Sequence, residues 1–211
     1  MLQSQLENKL SIPAVKIDIQ FDETIIRNVS HPEFLMHEDA IKQYVGVWKI
    51  IVEYVLLLNA KKVLEFGTRE GYSTQLFSRV LRWTEGHIWT VDKDDPKISK
   101  EVMDSIDNVT FIKDEIMGKK WMEVSDFSDV DILYIDDWHE PYHLYTELEH
   151  FAHLAKVVLI HDVVQGWQGR EWLLLPIFKW CRNHFTPFAV YPLNDCGLVA
   201  IHRKEFERFY V

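Results

Sequence analysis

From Lys62 to His202 the chain switches repeatedly between two periodicities. Short apolar runs of strand type occupy Lys62–Phe66, His87–Asp92, Val109–Ile112, Val130–Asp136 and Lys156–Asp162. Between and after them, apolar residues recur at helical spacing over Ser73–Leu81, Ile98–Ile106, Tyr142–Leu154 and Glu171–Asn183. A strand followed by a helix returns in the same direction, so this alternation predicts an α/β domain with a mostly parallel sheet. Two more strands, Phe188–Pro192 and Leu198–His202, are separated by about five residues, whereas a parallel crossover needs roughly a dozen. The last pair must then be an antiparallel hairpin. The expected architecture is a doubly wound, mostly parallel seven-stranded sheet, with one antiparallel strand near its edge and helices on both faces.

The chain has 211 residues, a length that suits one compact domain. Residues 1–58 are expected to form an N-terminal extension with a short strand at Ala14–Ile19 and one or two helices over His37–Leu58. These helices either cover the ligand or make the face of a homo-oligomer. Residues 59–211 make the ligand-binding domain. Lys and Arg total 23 against 33 Asp and Glu, a net charge of -10. Such a chain repels phosphate on average, which argues against nucleic acid and against an anionic membrane surface. It attracts cations and cationic ligands. Two cysteines, Cys181 and Cys196, make no disulfide framework, which points to a cytoplasmic protein. The N-terminus lacks the apolar core of a signal peptide, and no apolar run is long enough to span a bilayer.

Acids punctuate the strands. Glu65, Asp92, Asp136 and Asp162 stand at or near the carboxyl ends of four of them, where open α/β sheets bind ligands. A buried strand has little use for a carboxylate at its end. One such acid is readily a helix cap, but four in one sheet suggest a site. After the first strand comes Glu65-Phe-Gly67-Thr68-Arg69-Glu-Gly71-Tyr72-Ser73-Thr74. Its two glycines permit a tight turn and close backbone approach to a ligand. No Gly-Lys-Ser/Thr follows, and no third glycine completes a dinucleotide fingerprint, so a pyrophosphate cradle is disfavoured.

This run resembles motif I of the class I S-adenosylmethionine-dependent methyltransferases. Asp92 with Lys93 resembles the acid after their second strand, which holds ribose hydroxyls. Val109-Thr-Phe-Ile-Lys-Asp114-Glu115 resembles their third-strand region, where Asp114 or Glu115 would meet the adenine. The resemblance covers about residues 60–203 and implies a Rossmann-like fold. It assigns cofactor contacts to Glu65, Gly67, Thr68, Arg69, Gly71, Tyr72, Ser73, Asp92, Lys93, Asp114 or Glu115, and Asp136. The cofactor is net cationic, and carboxylates can accept from its ammonium and hydroxyl groups.

The segment Asp136-Asp137-Trp138-His139-Glu140-Pro141-Tyr142 is similar to the strand-four motif of small-molecule O-methyltransferases of catechol and macrolide-sugar type. By that resemblance Asp136 holds a divalent metal, Mg2+, and His139 is the general base. Leu159-Ile-His161-Asp162-Val163 resembles the fifth-strand motif that supplies a second ligand, Asp162. Catechol-type enzymes carry Asp-Asn there, so Val163 leaves the third ligand open, with His161 as a substitute. The implied activity is methyl transfer from S-adenosylmethionine to a hydroxyl of a small molecule. Relatives that act as cephalosporin-type hydroxylases, and a non-catalytic binding protein on the same scaffold, are the alternatives.

Three features invite other readings. His139-Glu-Pro-Tyr-His143 matches the zinc-protease pattern, but Pro141 suits the first helical position, which leaves His139 before the helix. His143, His150 and His153 then read as helix-surface or satisfied core residues. Asp137 reads as a solvated residue or a helix cap, and Trp138 as a core aromatic or a rim contact. The loop Val164–Arg170, with two glycines and Trp167, reads as a rim over the pocket.

Overall fold

A computed structural model describes residues 38–97, 106–163, 173–184, 186–191 and 197–203. The expected strand at Ala14–Ile19, nearly all of the helix at Ile98–Ile106, the loop Val164–Arg170 and the turn residues Asn194–Cys196 lie outside these residues.

The strands are β1 (Lys62–Phe66), β2 (His87–Asp92), β3 (Val109–Lys113), β4 (Val130–Ile135), β5 (Ala155–His161), β6 (Phe188–Tyr191) and β7 (Leu198–His202). The helices are α1 (Glu38–Leu57), α2 (Tyr72–Thr84), α3 (Pro141–Phe151) and α4 (Leu174–His184). One seven-stranded sheet runs in the order β3-β2-β1-β4-β5-β7-β6. Neighbours from β3 to β5 are parallel. Strand β7 runs antiparallel to both β5 and β6, so it is the one reversed strand, next to the edge. The expected hairpin is therefore present. The stretch expected to hold one or two N-terminal helices holds the single helix α1.

Side-chain alternation along the strands divides the core. Leu64, Phe66, Leu133, Ile135, Val158 and Ile160 join a cluster with α3 and α4 on one face. Val63, Ile132, Tyr134, Val157 and Leu159 join α1 and α2 on the other, where Trp48, Ile51 and Val55 are buried. All six residues of β4 are buried, as both-face coverage demands. The same alternation sends Glu65 towards α2.

Strand order reverses between β1 and β4, which belong to opposite halves of the winding. Ligands of open α/β sheets bind at this crevice. The acid of β4 that sequence reasoning missed, Asp131, sits at the opposite end. It is buried, accepts from the backbone N–H groups of Lys61 and Lys62 at 2.6 and 2.9 Å, and accepts from Lys156 Nζ at 2.6 Å. It ties the starts of β1, β4 and β5 together, a purely structural use for a strand-end carboxylate.

No helix among the described residues is long and apolar enough to cross a membrane.

Candidate functional site

The glycine loop closes on the end of β4. Gly67 has φ +92°, a left-handed backbone that L side chains rarely adopt, and a Cβ there would lie 2.4 Å from the Asp136 carbonyl oxygen. This glycine admits the close approach of another strand, and it also lines both cavities over the site. Gly67 N–H donates to Val91 at 2.9 Å, and Asp136 N–H donates to Phe66 at 2.9 Å. Gly71, at φ +74°, caps α2.

Glu65 lies beneath this loop, 0% exposed. The Ser73 and Thr74 hydroxyls each donate to its carboxylate at 2.5 Å. Burial pushes its carboxyl up to about 7, although those hydrogen bonds oppose the shift. Its visible work is to fasten the start of α2 to β1. Thr68 is also buried and shares a 2.6 Å hydrogen bond with Thr90. Asp92 accepts the backbone N–H groups of Thr68 and Arg69 on one oxygen, at 2.9 and 3.1 Å, and that of Asp94 on the other, at 3.0 Å. Arg69 holds φ +43°, a conformation costly for a non-glycine residue and common at functional turns.

A cleft of about 670 Å³ opens over these ends. Gly67, Arg69, Asp92, Lys93, Glu115, Ile116, Asp136 and Trp138 line it. Asp114 does not. It is half-buried and accepts the Trp121 backbone N–H at 2.8 Å, so Glu115 is the third-strand acid that faces the cleft. Trp138 is 67% exposed on the rim, with Lys93 Nζ 5.9 Å from its ring centre. A smaller recess of about 80 Å³ adjoins it, walled by Trp48, Tyr72, Ser73, Asp136, His161 and Asp162. Helix α1 therefore covers the site through Trp48.

Asp136 stands between the two cavities and gathers two imidazoles. His161 Nδ1 lies 3.1 Å and His139 Nε2 3.4 Å from its Oδ1. Asp162 approaches both rings, each at 3.7 Å. Burial raises the Asp136 carboxyl, but the two histidines outweigh it and hold the group well below the usual carboxylate range. One donor atom each from Asp136, His161 and Asp162 lie within 4.8 Å of one another. Asp162 holds φ +57° at the end of β5, in the left-handed region that Asp tolerates better than most residues.

A second cluster lies behind the first, and it corrects the expectations for Asp137 and His143. Asp137 is not a solvated residue or a helix cap, because Glu140 caps α3 by accepting the His143 N–H at 2.8 Å. Pro141 takes the first turn, so His139 precedes the helix and the zinc-protease geometry does not form. His143 is neither a surface nor a core histidine. Its Nε2 lies 3.0 Å from Asp137 Oδ2 and 3.4 Å from Glu147 Oε1. The hydrogen bond with Asp137 and the Glu147 carboxylate beside the ring push the His143 imidazole up to about 10.

No family model matches this sequence, and no curated protein matches it either. Its fold does match solved structures. A Staphylococcus aureus protein described as a caffeoyl-CoA O-methyltransferase superposes with a TM-score of 0.60 at 15% identity, over 86% of this chain and 99% of that one. A Bacillus cereus O-methyltransferase, solved in complex with SAH, gives 0.57 at 16% identity, over 96% and 98%. An O-methyltransferase family protein from Burkholderia thailandensis gives 0.56 at 12%, over 78% and 57%. The chain shares the fold of these proteins.

The residues that sequence reasoning missed in this fold are Trp48, His143 and Glu147. Trp48 carried no chemical signal beyond helical spacing. His143 and Glu147 stand four apart on a helix, a spacing that places both on one face. That was the available signal, and the rival pattern His139-x-x-x-His143 drew attention from it.

Proposed function

We propose that this chain is an S-adenosylmethionine-dependent O-methyltransferase acting on a hydroxyl of a small molecule. The observation that carries this reading is a convergence at the β1/β4 crevice. The glycine loop, Asp92, Glu115 and Asp136 line one cleft, Asp136 also lines the adjoining recess with His161 and Asp162, and His139 leans on Asp136 from behind.

The residues fit such a cofactor. The cleft falls in the usual size range for small-ligand sites, roughly 300–1,000 Å³. It carries acids suited to a cationic ligand with ammonium and hydroxyl donors. Asp92 and Glu115 would receive the hydroxyls and the adenine side. Gly67 and Gly71 would admit the methionine part, with Glu65 holding the loop from beneath. When bound, S-adenosylmethionine supplies a methyl group on a sulfonium, an electrophile that any well-placed oxygen can attack.

His139 is the proposed base. It is half-buried behind Asp136, its Nε2 stands 3.4 Å from Asp136 and 3.7 Å from Asp162, and an imidazole is the side chain most used to take a proton from a reacting hydroxyl. Asp136 and Asp162 then stabilise the imidazolium that forms. Positioning does the rest, since alignment removes most of the entropy of a bimolecular step. Asp136, Asp162 and His161 also make a donor set for a divalent cation, which would polarise the hydroxyl when bound. Two oxygens and an imidazole suit Mn2+ or another transition ion better than Mg2+, which prefers oxygen alone. We read the protein as cytoplasmic.

The test is His139→Ala, assayed with S-adenosylmethionine and a panel of phenols, catechols and sugar hydroxyls. Wild-type product should gain one CH2 in mass, and a gain of one oxygen would favour the hydroxylase alternative. The variant should lose turnover and keep cofactor affinity; undiminished turnover would remove His139 as the base.

A further inference from the structure

We propose that Asp137, His143 and Glu147 form a second divalent-cation site, of zinc type, in the wall of the cleft. Helix α3 presents His143 and Glu147 on one face, and the β4–α3 connection folds Asp137 back over them. One donor atom from each residue lies within 4.8 Å of the other two. His143 Nε2 is 3.0 Å from the Asp137 oxygen and 3.4 Å from that of Glu147. Neighbouring ligands on a tetrahedral zinc with bonds of about 2.0–2.1 Å stand about 3.3 Å apart, so the side chains are already spaced for the ion.

Glu147 supplies the independent reason to expect a cation. It is 0% exposed, and neither carboxylate oxygen accepts a hydrogen bond from a described residue. A carboxylate removed from water without donors is among the most unfavourable groups to bury. The His143 ring stands beside it at ion-pair distance, and the Asp137 carboxyl closes on it from the connection. A doubly charged ion between the three groups would satisfy both oxygens and neutralise both acids. One imidazole with two carboxylates is a zinc donor set, too few and too nitrogen-rich for calcium. Asp137 and His143 line the cleft, so the fourth coordination position lies towards it. The ion would also pin the connection that carries Asp136 and His139, next to Trp138, whose ring centre is 5.5 Å from that of His143.

Zinc here and methyl transfer at the crevice are separable. The experiment is zinc titration of the full chain after chelator treatment, with bound metal counted after equilibrium dialysis. Asp162→Asn, which disables the other cluster, should keep a tight zinc equivalent. Glu147→Gln and His143→Asn should each lose one equivalent relative to wild type. Circular dichroism confirms that the variants fold. Wild-type protein gives a readout that needs no variant to fold: the His143 ring-nitrogen resonances should move with the first tight equivalent. If those resonances stay put at saturating zinc, or if Asp162→Asn abolishes all tight binding, the cluster is an ion-paired histidine and the site does not exist.

Discussion

Among the described glycines Gly67, Gly86 and Gly118, replacing Gly67 with alanine should be the most damaging change. The added Cβ would meet the Asp136 carbonyl oxygen at 2.4 Å, its carbonyl carbon at 2.7 Å and Asp137 Cα at 2.9 Å. All three are backbone atoms, so no side chain can swing aside. The φ of +92° adds a conformational penalty of about 1–2 kcal/mol for a residue with a Cβ. Relief requires β1 and β4 to part at their ends, and overpacking of that kind costs about 1–3 kcal/mol. The hydrogen bonds from Gly67 to Val91 and from Asp136 to Phe66 would stretch, each worth about 1 kcal/mol. Together the loss is about 4–7 kcal/mol, a large part of the 5–15 kcal/mol that holds an ordinary domain. For a chain of this size that lowers Tm by about 10–20 °C. Urea unfolding gives the free energy directly. Gly118→Ala is the control, because its Cβ would meet Glu115 and Asp114 side chains at 3.4 and 3.6 Å. That variant should stay within about 1 kcal/mol of wild type. A Gly67→Ala protein as stable as the control would refute the close approach of β1 to β4 on which the site depends.

Two further predictions concern pH. Burial raises the Glu65 carboxyl from 4.5 to about 7 in the folded protein. The folded state therefore keeps its proton longer, and the stability this confers is full below pH 4.5 and lost as pH rises through about 7. The stability difference between wild type and Glu65→Gln, measured by urea midpoints from pH 5 to 8, should fall across that window; a flat difference would show the carboxyl unshifted. His202 behaves in the opposite sense. Burial lowers its pKa from 6.5 to about 4, while its Nε2 shares a 3.0 Å hydrogen bond with Tyr54. The unfolded chain binds the proton first, so acidification from pH 6.5 to 4 should cost about 3 kcal/mol at most. His202→Gln should remove that acid limb, and an identical limb in the variant would contradict the assignment.

Much of the frame was legible in the sequence, because parallel strands buried on both faces must be apolar and must end somewhere polar. Asp92, Asp136 and Asp162 stood out as acids closing apolar runs. The reversal of β7 followed from a loop too short for a crossover. What remained hidden depends on contacts between segments far apart in the chain. Gly67 reads as a glycine for a ligand, and its second duty, letting β4 close on β1, shows only in the fold. Asp137 reads as a cap until α3 brings His143 and Glu147 beneath it. Asp114 and Glu115 are equivalent in sequence, and only the hydrogen bond from Trp121 takes Asp114 out of the cleft. Asp131 warns that a strand acid can be structural: it stands at the amino end of β4, where its partners are backbone N–H groups and a lysine.

The central claim is that the acid-lined cleft at the β1/β4 crevice receives S-adenosylmethionine. Isothermal calorimetry with its demethylated product, SAH, tests this most directly, because no acceptor need be known. One equivalent should bind per chain, S-adenosylmethionine should compete, and Asp92→Asn should weaken binding without unfolding the protein. A folded wild-type chain that binds neither compound would contradict the account, whatever its fold resembles.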